Sequence, residues 1–164
     1  MTNRYRRLIR RLDAVLSLLR RLGLCALLLV ALSATASAQQ FTEREDVRAC
    51  VKRLWEFSMG GLVPGESATV VTLNLDTDGM ECKKLLQVPT ANTIRVKVNL
   101  ADHPVVVMHT HPLHVDPRPS DGDGDAAKGW GIPVYVLSRG GVWVVDPDKH
   151  ATKIAETVDA LLMK

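Results

Sequence analysis

The tightest constraint in this chain is the run Val105-Val106-Val107-Met108, which leads without a break into His109-Thr110-His111-Pro112. Four consecutive apolar residues, three of them β-branched, read as a strand buried on both faces. Such a strand belongs in the middle of a sheet with helices packed on either side. It then ends on two histidines at i and i+2, and alternation along a strand turns both imidazoles to one side of that sheet.

The flanking segments supply the rest of one domain. Residues 42–57 read as a helix, with Thr42 and Glu45 as a capping box and Val47, Val51, Leu54 and Trp55 as its apolar stripe; Gly60-Gly61 stops it. Leu62 and Val63 begin an extended segment that Pro64-Gly65 breaks. Residues 68–75 and 80–88 read as a hairpin across the turn 76–79, and 93–100 as a strand with one wet face. A Pro- and Gly-rich loop follows the histidines to about Gly124. A short helix over 125–130, strands over 134–138 and 142–145, and a C-terminal helix over 148–163 complete the reading. The predicted class is α/β (α+β): a single domain with a mixed β-sheet flanked by helices.

The N-terminal 38 residues have a different composition. Seven arginines precede an uninterrupted apolar run from Leu22 to Leu32, and Ala36-Ser37-Ala38 ends it. This three-part order predicts a secretory signal peptide, residues 1–38, cleaved after Ala38, and hence a periplasmic or secreted body. At 11 residues the run is short of the ~20 that a spanning helix needs, so the membrane enters only through this segment. The formal charge of +3 belongs to the leader: residues 39–164 keep 14 basic against 17 acidic residues, a net −3. With no basic stripe there, nucleic acid is excluded as a partner.

The body retains two cysteines, Cys50 and Cys82, an even pair that becomes a disulfide candidate in an oxidising compartment. No Cys-x-x-Cys spacing is present. Beyond His109 and His111, the loop Ser120-Asp121-Gly122-Asp123 offers the third ligand of a catalytic zinc, which takes three protein ligands and leaves a fourth position open. Asp121 and Asp125 flank Asp123 and leave that ligand open by two residues either way. An EF-hand over Asp121–Asp125 is excluded, because Ala126 and Ile132 stand where its glycine and glutamate belong. Peptidoglycan endopeptidases of the LAS type are disfavoured too, because no upstream histidine is followed seven places on by Asp. Asp116–Pro119 reads as a stiffened loop wall, and Trp130 and Trp143 as core or groove lining.

His-Thr-His-Pro, a loop, and then Pro119-Ser120-x-x-Asp123 resembles the signature of JAMM (JAB/MPN) zinc metallopeptidases. The likeness extends to Glu56-Phe57-Ser58-Met59-Gly60-Gly61-Leu62, close to that family's early Glu-x-x-Gly-x-Leu pattern, and to the strand–turn–strand Gly131 through Trp143. The resemblance implies a cytidine-deaminase-like arrangement of the sheet and Zn²⁺ held by His109, His111 and Asp123. It also implies Glu56 as general base and then general acid, with Ser120 as hydrogen-bond donor to the developing oxyanion. Glu66 is the next candidate base. The expected function is hydrolysis of an amide in a peptide or protein of the cell envelope, by a peptidase or isopeptidase. A non-catalytic MPN-type binding or scaffold module and a toxin-associated processing domain are the alternatives.

Overall fold

The computed structural model describes residues 41–88 and 94–163. The signal reading and its cleavage position lie outside the described residues. Among the described residues no helix is long and apolar enough to cross a membrane.

Strand β4 (Pro104–Thr110) carries the apolar run and lies inside the sheet, between β1 (Ser67–Asn74), antiparallel to it, and β5 (Val134–Ser138), parallel to it. The seven-stranded mixed sheet is completed by β2 (Gly79–Cys82) and β3 (Leu86–Gln87), which both pair with β1, and by β6 (Gly141–Val145) and β7 (Ala151–Ala155) beyond β5. Alternation along β4 divides its side chains between two cores. Val106 and Met108 pack under helix α1 (Glu45–Phe57) and helix α3 (Val158–Leu162), with Val47, Val51, Leu54, Tyr135, Leu137 and Leu161. Val107 packs on the opposite face with Val134, Val136, Val145 and Ala127 of helix α2 (Asp121–Trp130). A parallel β4–α2–β5 crossover returns the chain through that helix, so the N-terminus of α2 lies at the carboxyl end of β4.

Several boundaries differ from the sequence reading. Arg44, not Thr42, caps α1, without a side-chain cap bond; the Arg44 guanidinium grips Asp46 at 2.9 Å instead, and Asp46 accepts the N–H of Met80 at 2.7 Å. Leu62 and Val63 lie in turns rather than in an extended segment. The second hairpin strand is split into β2 and β3. Residues 94–98 alternate half-buried and exposed as predicted but join no strand ladder; Val96 and Val98 pack on the α2-side core. Helix α2 starts four residues early, at Asp121, because Ser120 and Asp123 form its capping box. The predicted C-terminal helix divides into strand β7 and a short helix that begins only at Val158.

Cys50 of α1 and Cys82 of β2 form a disulfide, with Cα atoms 5.6 Å apart. It ties α1 to the β2 edge of the sheet.

Candidate metal centre

His109 and His111 leave β4 on the α2 face, as the i and i+2 spacing requires, and both are buried. Their rings lie 5.1 Å apart, centre to centre. His111 is oriented by the loop that follows it. Its Nδ1 lies 2.7 Å from the backbone carbonyl of Asp116. A carbonyl only accepts, so Nδ1 carries the proton and Nε2 keeps its lone pair. A hydrogen bond of this kind fixes a histidine for metal ligation. The loop is stiffened, since Arg118 chelates the Asp116 carboxylate at 3.1 and 2.8 Å and Pro117 packs on Gly140. A Cβ on Gly140 would stand 2.6 Å from Pro117 Cβ, so only glycine permits this seat.

Asp123 is the acid that the structure brings to the histidines. Its Oδ1 lies 3.2 Å from His109 Nε2, and its Oδ2 lies 3.9 Å from His111 Nε2. Two ligand atoms bonded to one tetrahedral zinc are ~3.3 Å apart, so the shorter separation matches a shared ion. The α2 cap holds this carboxylate in place: Oδ2 accepts the backbone N–H of Ser120 and its hydroxyl, each at 2.7 Å, leaving Oδ1 for the histidine side. Asp121 is exposed on the first turn of α2, and Asp125 is paired with Lys149, so neither competes with Asp123. The Ser120 hydroxyl proton is committed to Asp123. In this arrangement Ser120 serves as cap and positioning residue rather than as a free oxyanion donor.

The carboxylate predicted as the base is displaced. Glu56 is 65% exposed and forms an i,i+4 pair with Lys52 at 3.8 Å on the outer side of α1. Glu66, immediately before β1, is 5% exposed. Counting back from Val70, which faces the α2-side core, places Ala68 and Glu66 on the same side of the sheet; Ala68 is the cross-strand partner of His109. One Glu66 carboxylate oxygen and one ring nitrogen from each histidine all lie within 4.8 Å of one another. This buried Glu66–His109–His111 group can hold a metal ion. The general lesson for Glu66 is parity: its place follows once β1 is paired with β4, whereas the Glu-x-x-Gly-x-Leu wording points to Glu56.

The electrostatics suit a cation. The Glu66 carboxyl pKa is raised to about 7: burial is the largest cause, the Ile94 N–H bonded to its Oε2 at 3.0 Å opposes it, and the Asp123 charge adds to it. Burial likewise holds the His109 imidazole well below the usual histidine range, with Asp123 opposing and His111 adding to that shift. Glu66, His109 and His111 thus converge on one buried point with Asp123 beside both histidines, and no lysine or arginine lines the cleft there. A second group, Asp146–Asp148–His150, lies toward solvent, with His150 turned onto Asp146 at 3.3 Å.

Around this centre the turn after α1 closes in. Gly60 and Gly61 both adopt left-handed φ, +67° and +77°, and a Cβ on Gly61 would stand 3.3 Å from the carbonyl of His111. Gly61 accepts the N–H of Leu113 at 2.9 Å and so seals the loop entry. No protein-family model, curated relative or solved structure matches this chain.

Proposed function

We propose that the protein is an exported zinc-dependent amide hydrolase of the JAMM type, acting on a peptide or protein of the cell envelope. The observation that carries this reading is the His111 hydrogen bond to Asp116, which aims Nε2 toward Asp123 beside His109, with a buried glutamate in reach. His109, His111 and Asp123 offer zinc two nitrogens and one oxygen, the donor number of a site that keeps its fourth position for water. Bound there, zinc supplies the Lewis acidity that makes water a nucleophile near neutral pH.

The chain's own residues do the remaining work. Glu66 replaces Glu56 as general base. Its carboxylate, poised by burial near neutrality, accepts a proton from the attacking water and returns it to the leaving amine. Ser120 holds Asp123 through the helix cap and keeps Oδ1 turned to the histidines. The Asp116 carbonyl holds His111 in the tautomer that ligation requires.

The test incubates envelope peptides with zinc-loaded parent, Glu66→Gln and Glu56→Gln proteins and reads the products by mass spectrometry. New amide-cleavage termini with the parent and Glu56→Gln, but not with Glu66→Gln, are expected, and Glu66→Gln should still retain zinc. Identical peptide pools from all three proteins refute the hydrolase. Loss of zinc from Glu66→Gln would make that residue a ligand instead of the base.

A further inference from the structure

The cleft holding Glu66, His109, Ser120 and Asp123 continues past them into a pocket of different character. Its walls are Ile94 and Val96 of the extended segment after β3, Val107 of β4, Val134 of β5, and Ala126 and Trp130 of α2. The last two stand at i and i+4, on one face of the helix. Five of the six carry hydrocarbon side chains and the sixth an indole, and they come from four separate parts of the chain. The whole cleft, its metal-centre end included, measures about 170 Å³ and opens beside Ser120 and Gly122, which are exposed, so its apolar end has less than that volume. An apolar cavity of roughly 150 Å³ is enough to take up a molecule the size of benzene. The space therefore suits one leucine- or phenylalanine-sized side chain and not a longer stretch of peptide.

We infer that this pocket is a specificity subsite that receives one medium-sized apolar side chain of the substrate beside the metal centre. The inference rests on the hydrolase reading for the identity of the substrate, though not for the pocket itself. Charge supports an apolar occupant over an acidic one. The polar end presents the Glu66 and Asp123 carboxylates, and no cationic side chain lines the cavity to receive an acid. Ile94 ties the two halves together, because its side chain forms a wall while its N–H bonds Glu66 Oε2 at 3.0 Å. An apolar group seated against Ile94 thus lies next to the residue proposed as base. Ala126 sets the depth of the pocket: a larger side chain there points from a half-buried helix position into the space.

The test follows the Trp130 indole N–H by NMR in the full chain, metal-free and zinc-loaded, during titration with Nα-acetyl amino-acid amides. The leucine and phenylalanine amides should give saturable shifts at concentrations roughly tenfold or more below those needed for glycine, aspartate or lysine amides. Ala126→Leu, which fills the pocket, should abolish that preference, and Ile94→Ser, which strips one wall, should weaken it. Absence of a preference, tightest binding of the lysine or aspartate amide, or an unchanged preference in both variants overturns the subsite. If Ala126→Leu fails to fold, Ile94→Ser decides. Apolar selectivity in a protein that takes up no zinc keeps the subsite and removes the hydrolase; zinc uptake without selectivity removes the subsite alone.

Discussion

The two faces of the sheet are built for opposite ends. Under α1 and α3 the interior is continuous and apolar, with Leu54, Val71, Val106 and Met108 fully buried, and the Cys50–Cys82 bridge pins its helix to the sheet. Under α2 the apolar cluster is smaller, and next to it Glu66, His109 and His111 are buried instead of hydrocarbon. Burying ionisable groups without charge partners is costly, and a cation is the natural compensation. The larger apolar core lies on one face and the candidate metal centre on the other.

Mutations should separate the faces. Leu54→Ala, on the apolar face, is expected to cost ~2–5 kcal/mol of folding free energy while the folded fraction still takes up zinc. His109→Ala should do the reverse, abolishing zinc uptake with little loss of metal-free stability. Denaturant titration beside metal analysis reads both; equal stability losses at the two sites would erase the distinction. Replacing Cys50 and Cys82 together by alanine should cost ~3–4 kcal/mol on the chain-entropy estimate for a loop of this length, again without loss of zinc. A reduced protein as stable as the oxidised one would contradict it.

Smaller effects sharpen the contrast on the α2 face. Gly140→Ala should push Pro117 and the Asp116 carbonyl away from His111 and weaken zinc binding by roughly tenfold or more, with the fold kept. Isothermal titration would measure it, and unchanged affinity would show that the loop seat is unimportant. The smallest effect concerns pH in the metal-free protein. Because the folded Glu66 carboxyl is raised from an ordinary 4.5 to about 7, the folded state holds a proton that the unfolded state releases between those values. That contribution is fully present below pH 4.5 and is lost as pH rises toward 7. Glu66→Gln should flatten this part of the stability profile. The lowered His109 imidazole acts in the opposite sense in both proteins, so a Glu66→Gln profile parallel to the parent's over that interval would contradict the assignment.

Much of this architecture is legible in the sequence. The continuous run Val105–Met108 announces an interior strand, and the two-residue spacing of His109 and His111 announces a shared face. The Ser120 and Asp123 pair is local, and the same two residues both cap α2 and present the acid. What escaped depends on pairing across the sheet. Glu66 faces the histidines only because β1 runs antiparallel to β4 in the observed register, and nothing in its immediate neighbours signals this. The alternation over 94–98 is real, but alternation reports which side chains are wet, not whether a ladder exists. Ile154 and Val158 have helix-compatible spacing, yet residues 151–155 pair with β6 as a strand and only Val158 onward is helix.

The most direct measurement is anomalous X-ray diffraction from zinc-soaked crystals of the full chain. One ion should lie ~2.0–2.2 Å from a ring nitrogen of His109, from Nε2 of His111 and from Oδ1 of Asp123, with Glu66 outside bonding distance. Zinc found only at Asp146–Asp148–His150, or bonded to Glu66 in place of Asp123, would contradict the account.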